Sequence, residues 1–163
     1  MTQKHETPAN GPAPEPSAEA RIRDLRALLD YGLAEGIGVG SSLGILADVI
    51  EVGRTVWTLT PSKAAANAML TVHGGVIATL MDTAMGSAVY TMLPGGALYT
   101  TLEFKVNFIR TLALDADTVR CEARAVHVGR RTATAEARVT DGGGAVVAHG
   151  SCTCLVIPRP APQ

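Results

Sequence analysis

The chain has 163 residues, enough for one domain with a buried core and short for two. Lys plus Arg number 14 and Asp plus Glu 15, and the resulting charge of -1 excludes the basic footprint with which nucleic-acid binders engage phosphates. Hydrophobic residues reach 47% while charged ones stop at 18%, so the charge-poor surface is expected to meet other surfaces in an oligomer, and aromatics at 4% give no stacking platform for single strands or sugars.

Residues 1–20, with Pro8, Pro12, Pro14 and Pro16 among Ala, Glu and Ser, read as a disordered leader without the apolar core of a secretory signal. A short amphipathic helix follows, because Ile22, Leu25, Leu28, Leu29 and Leu33 recur at helical spacing; glycines from 32 to 44 end it. Two strands, 45–51 and 54–60, are joined at Gly53 and stopped by Pro61. A long helix is expected between His73 and Met92, then four strands at 98–110, 118–128, 131–140 and 145–157, separated by Asp- and Gly-rich turns. The layout is α+β: an antiparallel meander with one helix inserted early and lying on one face of the sheet. One domain covers 21–158, and 159–163 form a flexible tail.

Three cysteines without a disulfide framework point to a reducing, cytoplasmic setting. Cys152 and Cys154 share a strand face and read as small apolar core residues. His5, His73, His127 and His149 lack zinc-ligand spacing, so no metal is expected.

From Ala64 to Leu102 the one formally charged residue is Asp82, in the middle of a helix apolar all round and therefore buried. Gly74-Gly75, Gly86 and Pro94-Gly95-Gly96 interrupt the stretch too often for a membrane span. An unpaired buried carboxylate is costly and is kept when it works, or when hydroxyls such as Thr79 or Thr83, a distant arginine or a group across an interface satisfy it. His73-Gly74-Gly75 opens the helix. Bare N–H groups there, backed by the helix dipole, suit an oxyanion on a carbonyl; a tight turn capped by His73 is the structural alternative. Gly74 and Asp82 lie about 12 Å apart along one helix. One reacting carbonyl reaches both only if they come from different subunits at a two-fold interface.

The run from Asn67 through His73-Gly74-Gly75 to Asp82, with Thr101-Leu-Glu-Phe-Lys-Val-Asn-Phe-Ile-Arg110 after it, resembles the hotdog-fold acyl-CoA thioesterases of the phenylacetate-degradation (PaaI-like) type over residues 40–157. The resemblance implies a hotdog fold, in which a curved antiparallel sheet wraps a long central helix. It also implies a homodimer made by continuing the sheet, pairing further into a tetramer. By position it makes Asp82 the catalytic base or nucleophile and Gly74 the oxyanion donor. His73 and Asn67 would orient the thioester, and Thr101 would hold the water. Strand parity instead puts Thr100 on the face of Leu102 and Phe104. Gly75 and Thr100 would line the substrate, while Arg110, Arg130 and Arg131 are candidates for the coenzyme A phosphates. Leu70 stands where the family often has glycine, and Thr111 where it often has proline. No cofactor, nucleic acid or membrane partner is implied; coenzyme A is part of the substrate. The competing readings are a non-catalytic acyl-CoA-binding module and a hotdog hydratase or dehydratase.

Overall fold

The computed structural model describes residues 17–158; the leader as far as residue 16 and the tail 159–163 lie outside them. Helix α1 spans Ala18–Ala34 and begins inside the expected leader, because the Ser17 hydroxyl caps it by accepting from the Ala20 N–H. The glycine-rich segment after it is more ordered than its composition indicates. Gly38–Leu43 forms a six-residue helix, α2, closed by Gly44 in the left-handed conformation.

Six strands follow the expected segments: β1 Ile45–Glu51, β2 Arg54–Leu59, β3 Leu98–Phe108, β4 Val119–Val128, β5 Thr132–Thr140 and β6 Val146–Ile157. Helix α3, Gly74–Tyr90, lies between β2 and β3 in the chain. All pairings are antiparallel and the sheet order is β1-β2-β4-β5-β6-β3. This corrects the simple meander: β4, β5 and β6 follow one another, but β3 lies beyond β6 at the edge. The segment 109–118 therefore carries the chain across the sheet to β4, beside β2.

Helix α3 is the centre of the core. Leu80, Met81, Ala84, Met85 and Ala88 have no exposed surface, and each large apolar side chain so buried contributes about 1.5–3 kcal/mol. Ala123, Ala133 and Ala135 beneath the helix are likewise fully buried and small enough for it to approach the sheet closely. The Thr55 hydroxyl donates to the Ala84 carbonyl at 2.8 Å and fixes the helix to β2. Cys121, Cys152 and Cys154 are free and buried, as core cysteines should be; burial pushes the Cys121 thiol up to about 12.

Arg21 anchors α1 over the C-terminal end of α3. It is 3% exposed, donates to the carbonyls of Ala97 and Pro94, and stacks 5.3 Å from the centre of the Tyr90 ring. Arg21→Ala is expected to cost about 2 kcal/mol, since bonds from a charged donor and the packed stem are lost together. Hydrogen exchange should then quicken in α1 while the sheet stays protected.

Candidate active site

His73 ends the loop before α3 and caps the helix: its Nδ1 accepts from the Gly75 N–H at 2.8 Å. The cap reading of His73 is therefore realised, and the Gly75 donor is used locally rather than offered to a substrate. Accepting at Nδ1 leaves the neutral ring's proton on Nε2, from which the exposed imidazole can donate outward. The Gly74 N–H has no partner among the described residues, as the first turn of a helix dictates. A Cβ at Gly74 would stand 3.2 Å from the Phe108 ring, so glycine here admits the close approach of β3.

Asn67 organises the same loop. Its Oδ1 accepts from the N–H groups of Met69 at 2.9 Å and Thr71 at 3.1 Å, and its Nδ2 donates to the Thr71 hydroxyl at 2.9 Å. The amide thus shapes the approach to His73, with at most one Nδ2 proton left for a ligand. Leu70 adopts φ 59°, the left-handed region, which accounts for glycine being the easier residue there.

Asp82 is half-buried on α3, and its Oδ1 accepts from the Thr101 hydroxyl at 2.9 Å. The hydroxyl partner comes from β3, not from Thr79 or Thr83 on the helix itself; Thr79 donates instead to the Gly75 carbonyl. No cation pairs with Asp82 among the described residues, whose ion pairs join Arg54, Arg120 and Arg124 to other carboxylates.

Simple parity placed Thr100, not Thr101, with Leu102 and Phe104. A β-bulge resolves the conflict: Thr101 pairs with Cys154 but Glu103 with Thr153, so one extra residue separates them. Tyr99 and Thr101 turn toward the helix before the bulge. Phe104, Val106 and Phe108 share that face after it, and Thr100 points away, exposed.

Tyr99 is a neighbour that sequence reasoning missed. Its phenol packs over Gly86, one turn after Asp82, where any Cβ would strike the hydroxyl. Burial pushes the Tyr99 pKa up, and the Asp82 charge adds to it. The signal available was Gly86 itself, a mid-helix glycine that marks a close approach.

Two groups therefore exist in one subunit: Asp82 with Thr101, and His73-Gly74 with Asn67. Eight residues of helix, about 12 Å, separate them. The arginines are divided too. Arg110 follows the far end of β3, whereas Arg130 and Arg131 form the β4–β5 turn, where the Arg131 carbonyl accepts from Val156 next to the start of β3. The length of β3 sets them roughly 30 Å apart.

One edge of the sheet is β3, an 11-residue strand; the other is β1, against which α2 packs. Leu98 is 59% exposed, Leu102 57% and Phe108 53%. A long apolar edge strand is a template for pairing with another strand.

The thioesterase superfamily model matches residues 69–148, from the loop before α3 through α3, β3, β4 and β5 to the start of β6. No curated protein matches the chain. Among solved structures, a conserved protein of Pseudomonas aeruginosa is 31% identical, covers 76% of this chain and 98% of its own, and superposes with a TM-score of 0.69. A Streptococcus mutans protein solved with acetyl-CoA bound is 26% identical, covering 72% and 91% with a TM-score of 0.65. The E. coli PaaI protein of the phenylacetic acid degradation operon shares the fold at 20% identity, covering 84% and 96% with a TM-score of 0.71.

Proposed function

The chain belongs to the thioesterase superfamily, as a PaaI-like hotdog thioester hydrolase, and from that premise we propose that it cleaves small aryl or medium-chain acyl-CoA thioesters at two equivalent sites of a homodimer. The observation that carries this reading is Asp82: a carboxylate with no cation beside it among the described residues, on a buried helix, held by the Thr101 hydroxyl near the apolar β3 edge of the sheet. Pairing β3 with its partner across a two-fold axis would cover that edge. It would also bring the Gly74 end of one α3 to the Asp82 of the other.

Within such a site the steps are few. The Gly74 N–H and the dipole of α3 hold the thioester oxygen as charge develops on it. His73 Nε2–H orients the same carbonyl. Asp82 either takes a proton from a water that attacks the carbonyl carbon or attacks that carbon itself. In both routes the C–S bond breaks and coenzyme A leaves as a thiolate; in the second, water then hydrolyses the anhydride formed with Asp82, releasing the acid and restoring the carboxylate. A thiol with a reference pKa of about 8.5 departs with little help, so no strong general acid is required. Arg110 of one subunit and Arg130-Arg131 of the other would face the coenzyme A phosphates, which a single subunit cannot do. Further pairing into a dimer of dimers, and a cytoplasmic location, complete the proposal. Among the described residues no helix is long and apolar enough to cross a membrane.

Release of free thiol from phenylacetyl-, hydroxyphenylacetyl-, benzoyl- and octanoyl-CoA tests the reading. Turnover of at least one is expected, whereas tight binding with no thiol release would make the protein a binding module. Thr101→Val tests the hydroxyl. It should lower kcat by about 10- to 100-fold with KM little changed, because the carboxylate loses its orienting donor while the side-chain volume is kept.

A further inference from the structure

A second hydroxyl stands beside Asp82 and takes no part in the steps above. Tyr99 lies two residues before Thr101 on β3, and both face α3 ahead of the bulge. Its phenol covers Gly86, and a Cβ built on that glycine would overlap the hydroxyl oxygen. Cβ positions four residues apart on a helix are about 5–6 Å from one another, so the Tyr99 hydroxyl sits roughly that far from the Asp82 Cβ. The Asp82 charge acts on the phenol, yet the hydrogen bond that Asp82 accepts comes from Thr101. The two groups are near neighbours without a direct bond.

Both oxygens are open to a further partner. Thr101 takes Oδ1 of Asp82, which leaves Oδ2 without a partner among the described residues, and the Tyr99 hydroxyl has none there either. The partnerless side-chain atoms sealed from solvent in half-buried or buried residues are Arg21 Nε and the Trp57 N–H, so Asp82 Oδ2 and the Tyr99 hydroxyl keep accessible surface. Two O–H···O bonds of about 2.8 Å together span up to about 5.5 Å, so a single water can touch both. Glycine at 86 costs about 1 kcal/mol against alanine inside a helix, and here it is what lets the phenol rest at the level of Asp82. Burial, with the Asp82 charge adding to it, raises the Tyr99 pKa, so the phenol stays neutral and sets no second negative charge beside the carboxylate.

We propose that Tyr99 is a further catalytic residue, whose hydroxyl and Asp82 Oδ2 hold between them the water that attacks the thioester. The inference rests on the thioesterase reading of Asp82 and selects the route in which Asp82 is the base. The water oxygen bonds to the carbonyl carbon as one of its protons passes to Oδ2, while the other is hydrogen-bonded to the Tyr99 oxygen. The C–S bond then breaks and its electron pair leaves on the thiolate, which takes the proton back from Asp82. Tyr99 ends as it began, having lost and gained no proton.

Tyr99→Phe keeps the ring against Gly86 and removes only the hydroxyl. In the full-length protein, thiol release from the best of the four acyl-CoAs named above should show kcat lower by about tenfold, the worth of one hydrogen bond. KM should stay within about twofold and thermal unfolding should not change. In the double variant Asp82→Asn/Tyr99→Phe the loss should be no greater than in Asp82→Asn alone, because two groups that hold one water cannot lose it twice. A kcat of Tyr99→Phe within about twofold of the parent, or losses that multiply in the double variant, would overturn the role of Tyr99 and leave the thioesterase reading intact. So would ¹⁸O from the solvent in the Asp82 carboxylate after a single turnover of the parent. Release of no thiol by the parent from any of the compounds would overturn both.

Discussion

Replacing Asp82 with asparagine should lower kcat by a factor on the order of 10³ while KM stays within a few-fold of its original value. The substitution keeps the shape, and the amide oxygen can still accept from the Thr101 hydroxyl. It removes the charge and the ability to take a proton or attack a carbonyl. Stability should hold or rise slightly, because Asp82 has no cation to lose among the described residues and the partly buried charge disappears. Steady-state thiol release together with a denaturant titration checks both halves. A kcat within threefold of the original would remove Asp82 from the chemistry. If turnover is lost as expected, a single turnover of the parent protein in ¹⁸O-water probes the route: label in the Asp82 carboxylate marks it as nucleophile, because only water attack on the Asp82 side of an acyl anhydride puts it there.

The largest stability effect is expected at Gly150→Ala, a loss of about 3 kcal/mol or more. Gly150 lies in β6, opposite Val106 of β3 and Ala137 of β5. A Cβ there would collide with the backbone carbonyl oxygen of Lys105, and a backbone atom inside a paired strand cannot rotate out of the way. Strands β3 and β6 would have to part. Because β3 also carries Thr101, catalysis should fall with stability even though Gly150 lies outside the proposed site. Gly143→Ala is the control: its added Cβ would stand 3.4 Å from an Asp141 oxygen in an exposed turn, and the change should stay within about 0.5 kcal/mol. Urea unfolding of the two variants beside the parent makes the comparison.

The elements of this fold were legible wherever the signal was local. Alternation in 98–108 and 119–157 locates four strands, and the apolar run after His73 locates α3, because each pattern is set by residues within a few positions of one another. Asp82 was legible for a related reason, as a single charge in a long uncharged stretch. What the pattern missed is non-local. The placement of β3 beside β6 depends on partners 40 to 59 residues away, and no local alternation encodes it. The bulge between Thr101 and Glu103 is one extra residue against β6, yet it decides which threonine meets Asp82. Glycines at 38, 40 and 44 read only as part of the run that ends the first helix; the first two instead lie in the helix α2 and the third ends it, since packing against β1 outweighs poor propensity. The role of Gly75 as an open donor was overturned by the cap that His73 makes two residues earlier. Nothing in the sequence signals that the buried Trp57 N–H has no partner among the described residues, because an orphan donor is defined by what the fold leaves around it.

Complementation between two inactive variants tests the central claim, that each site is built from two subunits. Asp82→Asn removes the carboxylate. Gly74→Pro removes the oxyanion N–H at the first position of α3, where proline fits the helix backbone and the Phe108 ring, 3.2 Å from the new Cβ, has to give by a few tenths of an ångström. Each variant alone should be nearly inactive. Unfolded together in equal amounts and refolded, they should form about half mixed dimers, each with one site intact and one doubly altered, restoring about a quarter of the parental activity. Activity no greater than the sum of the two separate variants would mean that Asp82 and Gly74 serve the same subunit's site, and the shared-site account would fail.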